Sequence, residues 1–249
     1  MLEAIMQRFS LIDAYGINDT NEKELREKIN ALFLHARLCK DSISSEEELF
    51  TLLQIMNACR KKLRSMNNYS LSKLKVCDYK SFDLEYFLED IFVAADLMLS
   101  SYGKRIEFES TSEKSEFALC PEVVFAAVLN LISNAAIYSK GEMIAARMNS
   151  NNGRAFIEIE SEGGLSYERL RAAYKRDGSG VNCVDNAAKL HCGAFLIADC
   201  DGITRASLML SSMEAQSTGV YKIPDFTDYI CDRLSPMYTA LCECVLCPL

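Results

Sequence analysis

The sequence predicts an α+β protein: an N-terminal helical hairpin, then a sheet covered on one face by helices. Three observations carry this expectation. Apolar residues recur at alternating four and three spacings in two segments between residues 25 and 66, the rhythm of helices that share a seam. Two turn signals, Asn152-Gly153 and Asp201-Gly202, each sit between short apolar runs, and a type I′ hairpin turn needs positive φ at both central residues. Ahead of them runs a long apolar stretch, Val128 to Ser139, which has the character of a buried helix.

Taken in order, Leu2, Ile5, Phe9 and Ile12 form a short helical stripe that ends near Gly16 and is expected to pack on the helices that follow or on a partner. Leu25, Ile29, Leu32, Ala36 and Cys39 give the first seam. Leu49, Leu52, Met56, Cys59, Leu63 and Met66 give the second. The break falls at 41–45, where Ser44 with Glu47, or Ser45 with Glu48, forms a capping box that opens the second helix. A lone hairpin buries one stripe poorly, so pairing with a second copy into a four-helix bundle is the economical solution, and a homodimer is expected over residues 1–76.

From Phe82 the pattern becomes mixed. Asp83 caps a helix over Leu84–Met98 that stops by Gly103. Ile106–Glu109 and Phe117–Leu119 read as short strands, and a helix begins after Cys120-Pro121. Met143–Met148 pairs with Ala155–Glu160, and Ala194–Ala198 with Ala206–Leu210, across the two turns. This second domain spans 82–213. A C-terminal helical extension, 214–249, follows, with a linker at 214–219 and a helix over Asp225–Leu234 that ends before Pro236.

A chain of 249 residues with 49% hydrophobic and 25% charged residues is an ordinary globular protein with room for one or two cores. Its net charge of −8 and lack of a basic run exclude nucleic acid and anionic lipid as main partners. No apolar run approaches the roughly 20 residues that span a bilayer, and the first residues lack a signal peptide's basic start, so a cytoplasmic protein without a membrane segment is expected. Eleven cysteines, odd in number and set in apolar contexts, suit reduced, buried thiols. Cys242, Cys244 and Cys247, with Cys231 upstream, are either zinc or iron–sulfur ligands or packed and free thiols.

Asn130 and Asn134 stand four residues apart in the apolar helix and share one face. Carboxamides there are able to meet phosphate oxygens or a hydrated Mg²⁺ without adding charge. Read as NLxxNAxxYS, the stretch resembles the N-box of the histidine-kinase branch of the GHKL ATPase superfamily. Further boxes follow in the order of that family. Ser161-Glu-Gly163-Gly164-Leu sits where the family has Asp-x-Gly-x-Gly-Ile, whose aspartate accepts from the adenine amino group. Gly178-Ser-Gly180-Val, before a helix ending Leu190-His-Cys-Gly193, resembles the phosphate-cradling Gly-x-Gly-Leu box. The N-terminal hairpin resembles the dimerisation and phosphotransfer region of sensor histidine kinases, with Lys23-Glu-Leu-Arg-Glu-Lys-Ile29 at the phosphoacceptor motif.

The resemblance implies ATP with Mg²⁺ as cofactor, held by Asn130, Asn134, Ser161, Gly163, Gly164, Gly178 and Gly180, with Asn134 toward the metal. It implies a response regulator or another kinase as partner in a bacterial two-component-type pathway. The departures fall on the chemistry. Lys23 replaces the acceptor histidine, and an ammonium that titrates near 10 cannot act as a neutral nucleophile at pH 7. Ser161 replaces the aspartate, and only residues 166–177 separate the two glycine boxes, too few for the family's lid. His35 lies twelve residues beyond Lys23 and about 120° round the helix, away from the acceptor direction. The expectation is a dimeric pseudokinase with ATP binding weak or lost. The alternatives are a residual ATP-binding kinase or ATPase, and a phosphotransferase that uses His35.

Overall fold

The computed structural model describes residues 2–13, 22–39, 43, 45–112, 115–163, 166–176, 179–215, 221–231 and 235–244. Helices α1 (Leu2–Asp13), α2 (Glu22–Cys39) and α3 (Glu46–Lys73) come first. Ser45 caps α3 by accepting from the Glu48 amide at 3.1 Å, the N-cap bond of the second of the two anticipated capping boxes. Ser44 lies outside the described residues.

Leu25, Ile29, Leu32 and Ala36 of α2 and Leu52, Met56, Cys59 and Leu63 of α3 are buried together with Ile5 and Ile12 of α1. The apolar stripe of α1 thus packs on the hairpin helices, one of the two placements expected for it. Lys62 Nζ fixes the end of α1 by donating to the Asp13 carbonyl at 3.1 Å.

The remainder comprises β1 (Lys80–Asp83), α4 (Leu84–Ser100), β2 (Arg105–Ser110), β3 (Glu116–Leu119), α5 (Pro121–Tyr138), β4 (Met143–Asn151), β5 (Arg154–Glu162), α6 (Tyr167–Lys175), α7 (Gly180–Leu190), β6 (Ala194–Cys200), β7 (Ile203–Ser211), α8 (Phe226–Cys231) and α9 (Pro236–Leu241). Five strands form one sheet in the order β2-β4-β5-β7-β6. Only the β2–β4 pair in it is parallel. β1 and β3 make a separate antiparallel ladder. Both expected turns have positive φ at their two central residues, 50° and 72° at Asn152-Gly153 and 54° and 82° at Asp201-Gly202.

Alternation along the strands gives the sheet two chemistries. Ile144, Ala146, Met148, Ala155, Ile157, Ile159, Leu208 and Leu210 face a core shared with α4, α5 and α7. The opposite face carries an ionic lattice in which Glu160 meets both Arg147 and Arg205. Burial works to raise the Glu160 pKa, but the two guanidiniums outweigh it and hold the carboxyl below its ordinary range.

Helix α5 is the centre of this core. Among the described residues it alone is long and apolar enough to cross a membrane by length and composition, and 67% of it is buried inside the protein. Its start is pinned by His191, which is fully buried at the end of α7. The imidazole Nε2 accepts from the Cys120 amide at 3.0 Å while Nδ1 donates to the Ala187 carbonyl at 2.7 Å, the tautomer these partners require. Burial pushes the His191 pKa down.

The C-terminal region forms two helices where one was expected. Residues 232–234 lie outside the described residues. Pro236 opens α9 rather than merely stopping what precedes it, because its fixed φ and missing N–H suit a first helical position, and Ser235 caps the turn.

Candidate ligand cavity beside the core helix

The two asparagines of α5 stand one turn apart but have different neighbours. Asn130 is 3% exposed and faces α3. Its Nδ2 donates to Asn68 Oδ1 at 2.9 Å and to the Ala126 carbonyl at 2.8 Å. Its Oδ1 accepts from Asn68 Nδ2 at 3.1 Å and Arg64 Nη2 at 3.2 Å. The carboxamide is thus saturated by the hairpin helix. At Gly180, a Cβ would lie 2.4 Å from the same Oδ1, so glycine there lets the start of α7 close onto α5.

This junction extends in both directions. Asn186 Nδ2 reaches the Leu71 and Leu74 carbonyls at 2.7 and 3.0 Å and closes the end of α3. Arg60, with no exposed surface, donates to Asn57 Oδ1 at 2.9 Å and lies 4.9 Å from the Phe33 ring and 5.8 Å from the Tyr238 ring of α9. Glu243 completes the rim, 3.4 Å from Lys61 and 3.5 Å from Arg64.

Next to this junction, one turn further along α5, lies a cavity of about 270 Å³. The sheet supplies its floor through Ile159, Ser161, Ile197, Thr204 and Ala206. One wall is α5, through Leu131, Asn134, Ala135 and Tyr138, and the other is α6, through Arg169, Leu170, Ala173 and Arg176. The N-terminus of α7, with Ser179, Gly180 and Val181, closes one end, and Lys140 stands at the margin. Among the described residues three cations and no carboxylate line it, although the chain carries a net charge of −8. With the positive end of the α7 dipole added, the site favours an anion that also has an apolar part.

Ser161 and Thr204 stand opposite each other on paired strands. Thr204 Oγ1 donates to the Gly163 carbonyl. Gly163 itself does not line the cavity. Its φ is 142°, its amide donates to the Gly202 carbonyl at 2.7 Å, and a Cβ would come within 2.9 Å of the Tyr138 carbonyl, so it ties the end of β5 to the end of α5. Gly164 and Gly178 lie outside the described residues.

Of the residues singled out from sequence, Asn134, Ser161 and Gly180 come together at the cavity. Asn130 is at the junction. Lys23 and His35 lie on α2; Lys23 is exposed, and His35 Nδ1 is buried without a hydrogen-bond partner in the structure. Sequence reasoning missed Lys140, Arg169, Arg176 and Thr204. The register of the Asp201-Gly202 hairpin placed Thr204 near the turn, but its pairing with Ser161 comes from β7 crossing to β5. In the tail, Cys242 Sγ donates to the Thr239 carbonyl and Cys244 Sγ to that of Ser133. Among the described residues no three His, Cys, Asp or Glu side chains gather to hold a metal. Cys247 lies outside the described residues.

No protein-family model matches the chain, and no curated protein matches it significantly. Solved structures do. Full-length ShkA in complex with AMPPNP superposes with a TM-score of 0.64 at 15% identity, covering 79% of this chain and 46% of that one. The Acinetobacter baumannii histidine kinase AdeS gives 0.57 at 16% identity, covering 77% and 98%. Histidine kinase ThkA in complex with the response regulator protein TrrA gives 0.54 at 13% identity, covering 76% and 58%. The chain spans less than half the length of ShkA. At these identities the likeness establishes the fold alone: like these structures, the chain places a helical hairpin before an α/β domain.

Proposed function

We propose that this chain is a kinase-like binding module of two-component signalling that binds nucleotide weakly and transfers no phosphoryl group. The observation that carries the reading is the state of Asn130: the carboxamide offered by sequence for phosphate and Mg²⁺ is saturated by Arg64 and Asn68. A nucleotide in the cavity would then meet Asn134, the basic side chains and the α7 amides. The charge of the lining fits a triphosphate. Among the described residues the lining holds no carboxylate for Mg²⁺, and Asn134 is the side-chain carboxamide there that would face the metal.

Further support comes from Lys23 at the acceptor position and from the short α6 segment over the cavity. In this proposal residues 1–76 form the docking and dimerisation unit, 82–213 the nucleotide-binding unit and 214–249 an extension whose α9 clamps the two. A cytoplasmic homodimer would present the hairpin to a response regulator or to another kinase. That ThkA was captured with TrrA supports a regulator as the first partner to try.

The test is incubation of the whole chain with γ-³²P-ATP and Mg²⁺, with light scattering of the same sample. No acid-labile label and a dimeric mass are expected. Calorimetry should give MgATP affinity of about 1 mM or weaker, since exchanging a charged acceptor for a hydroxyl costs about 1.5–3 kcal/mol. Label that disappears in His35→Ala would replace this reading with phosphotransfer through that residue. Micromolar ATP binding with stable label retained would restore an active kinase.

A further inference from the structure

The connection from the hairpin to the sheet brings two thiols together. Residues 74–79 link α3 to β1 as an extended segment, with Val76 and Asp78 exposed and Cys77 buried between them. The antiparallel register of β1 with β3 sets Lys80 across from Leu119, and one step further it sets Tyr79 across from Cys120. Cys77, two residues before Tyr79, falls on the same face, diagonal to Cys120. The side chains meet there: the Cys77 thiol is in hydrogen-bonding contact with Cys120 Sγ and with the Tyr79 hydroxyl, which donates to the Leu190 carbonyl at 2.7 Å. Both cysteines are free and belong to the core around α5, Cys77 8% and Cys120 4% exposed. Because Cys77 precedes the β1–β3 ladder, no ladder bond resists the small shift that brings a diagonal pair to bridging distance.

We infer that Cys77 and Cys120 form a reversible disulfide under peroxide, which staples the connection between hairpin and sheet to the head of α5. Cys77, the more exposed of the two, reacts first: its thiolate sulfur attacks one peroxide oxygen, the O–O bond breaks, hydroxide leaves and a sulfenic acid remains. Cys120 sulfur then displaces the sulfenic hydroxyl from Cys77 sulfur and forms the S–S bond. The two thiol protons leave with the two peroxide oxygens as two waters, and the two electrons taken from the thiols reduce the peroxide. Glu122 Oε2, 3.6 Å from Cys120 Sγ, is placed to take the Cys120 proton. Burial pushes the Cys120 thiol up to about 12 against the opposing Val123 amide, with Cys77 and Glu122 adding to the rise, which suits Cys120 to the second step rather than the first. Asn186 already holds the Leu71 and Leu74 carbonyls at the end of α3, so oxidation adds a covalent tie beside a hydrogen-bonded one.

The test exposes the whole reduced chain, kept dilute, to hydrogen peroxide. The reaction is quenched in acid, remaining thiols are alkylated in denaturant, and the chain is digested without reductant for mass spectrometry. A peptide pair linked through Cys77 and Cys120, split again by dithiothreitol, is the expected product. The thermal midpoint of the linked chain should rise by about 5 °C or more and return on reduction. Cys77→Ala and Cys120→Ala should each abolish the rise, whereas Cys192→Ser, at an exposed thiol, should keep it. Peroxide that oxidises Cys192, Cys200 or Cys231 and leaves Cys77 and Cys120 reduced overturns the inference, and so does a bridge from Cys77 to Cys192. A Cys77–Cys120 bridge that leaves the midpoint unmoved overturns the stapling. The mapping is made on the unmutated chain, so it decides the matter even where an alanine variant does not fold.

Discussion

The junction and the cavity are neighbours along α5 and share the start of α7, yet they treat polar side chains in opposite ways. At the junction every principal polar group has a protein partner: Asn130 with Asn68 and Arg64, Asn186 with two α3 carbonyls, Arg60 with Asn57 between two rings. At the cavity, Asn134, Ser161 and the basic side chains border open space. Two asparagines one helical turn apart thus end in different chemistry because a second helix covers one of them. Buried and saturated groups serve stability and specificity of packing, and groups facing a cavity serve a ligand. Mutations should therefore divide by place, with stability lost at the junction and binding lost at the cavity.

The largest effect is expected from Arg60→Ala. It deletes a long buried side chain packed against Phe33 and Tyr238 and leaves Asn57 without its donor. Loss of about 3 kcal/mol in chemical denaturation is expected, from cavity formation and lost packing together. A loss below about 1 kcal/mol would mean that α9 is not held through this residue.

Next is the asparagine pair itself. Asn130→Ala leaves the buried Asn68 carboxamide without its reciprocal partner and takes one acceptor from Arg64, and should cost about 1–3 kcal/mol. Asn134→Ala should cost about 0.5 kcal/mol or less while weakening MgATP binding. Asn130→Ala with unchanged stability and lost nucleotide binding would reverse the assignment of the two places. A double-mutant cycle of Asn130 with Asn68 should show coupling near 1 kcal/mol, since the two carboxamides exchange reciprocal bonds.

A smaller effect is expected from pH. Burial lowers the folded pKa of His191, so below about 6.5 the unfolded chain takes up a proton that the folded chain refuses. Stability present above that value is then lost as pH falls from about 6.5 toward the folded pKa. Asp90 acts oppositely. Burial first, then Asp225 and Glu89, raise its pKa, so in the region just above its ordinary 3.8 acid favours the folded form through this group. The decline of the thermal midpoint between pH 7 and 5 should flatten in His191→Gln. An unchanged slope would assign it to other groups.

The legibility of these features from sequence follows the range of the interactions that make them. The N-cap at Ser45, the two hairpin turns and the apolar helix are encoded within a few residues, and all formed. β1 has no alternation over Lys80-Ser-Phe-Asp83 and exists because β3 offers it a partner, so periodicity could not find it. The stripe of α1 left two places open in sequence, the hairpin or a partner, and the fold puts it on the hairpin. In the cavity, Ser161 and Gly180 were found through ordered motifs. Arg169, Arg176 and Lys140 were missed because charges on a short helix and a loop read as solvated surface until the fold turns them toward one space.

The smallest effect tests whether the junction is held by its buried groups or by its charged rim. Glu243 lies within 4 Å of Lys61 and Arg64, but its side chain is 41% exposed and that of Lys61 51%, so solvent and salt screen most of the attraction. Arg64 is only 12% exposed and keeps its bond to Asn130 when the carboxylate is neutralised. Glu243→Gln should therefore cost about 0.5 kcal/mol or less at low ionic strength, and the difference should vanish in about 0.5 M salt. If it instead costs more than about 1.5 kcal/mol, and salt does not reduce that cost, Arg64 depends on Glu243 as a buried partner would. The junction would then be an ion-pair network reaching from α9 to Asn130, and α9 would govern whether that asparagine stays turned toward α3.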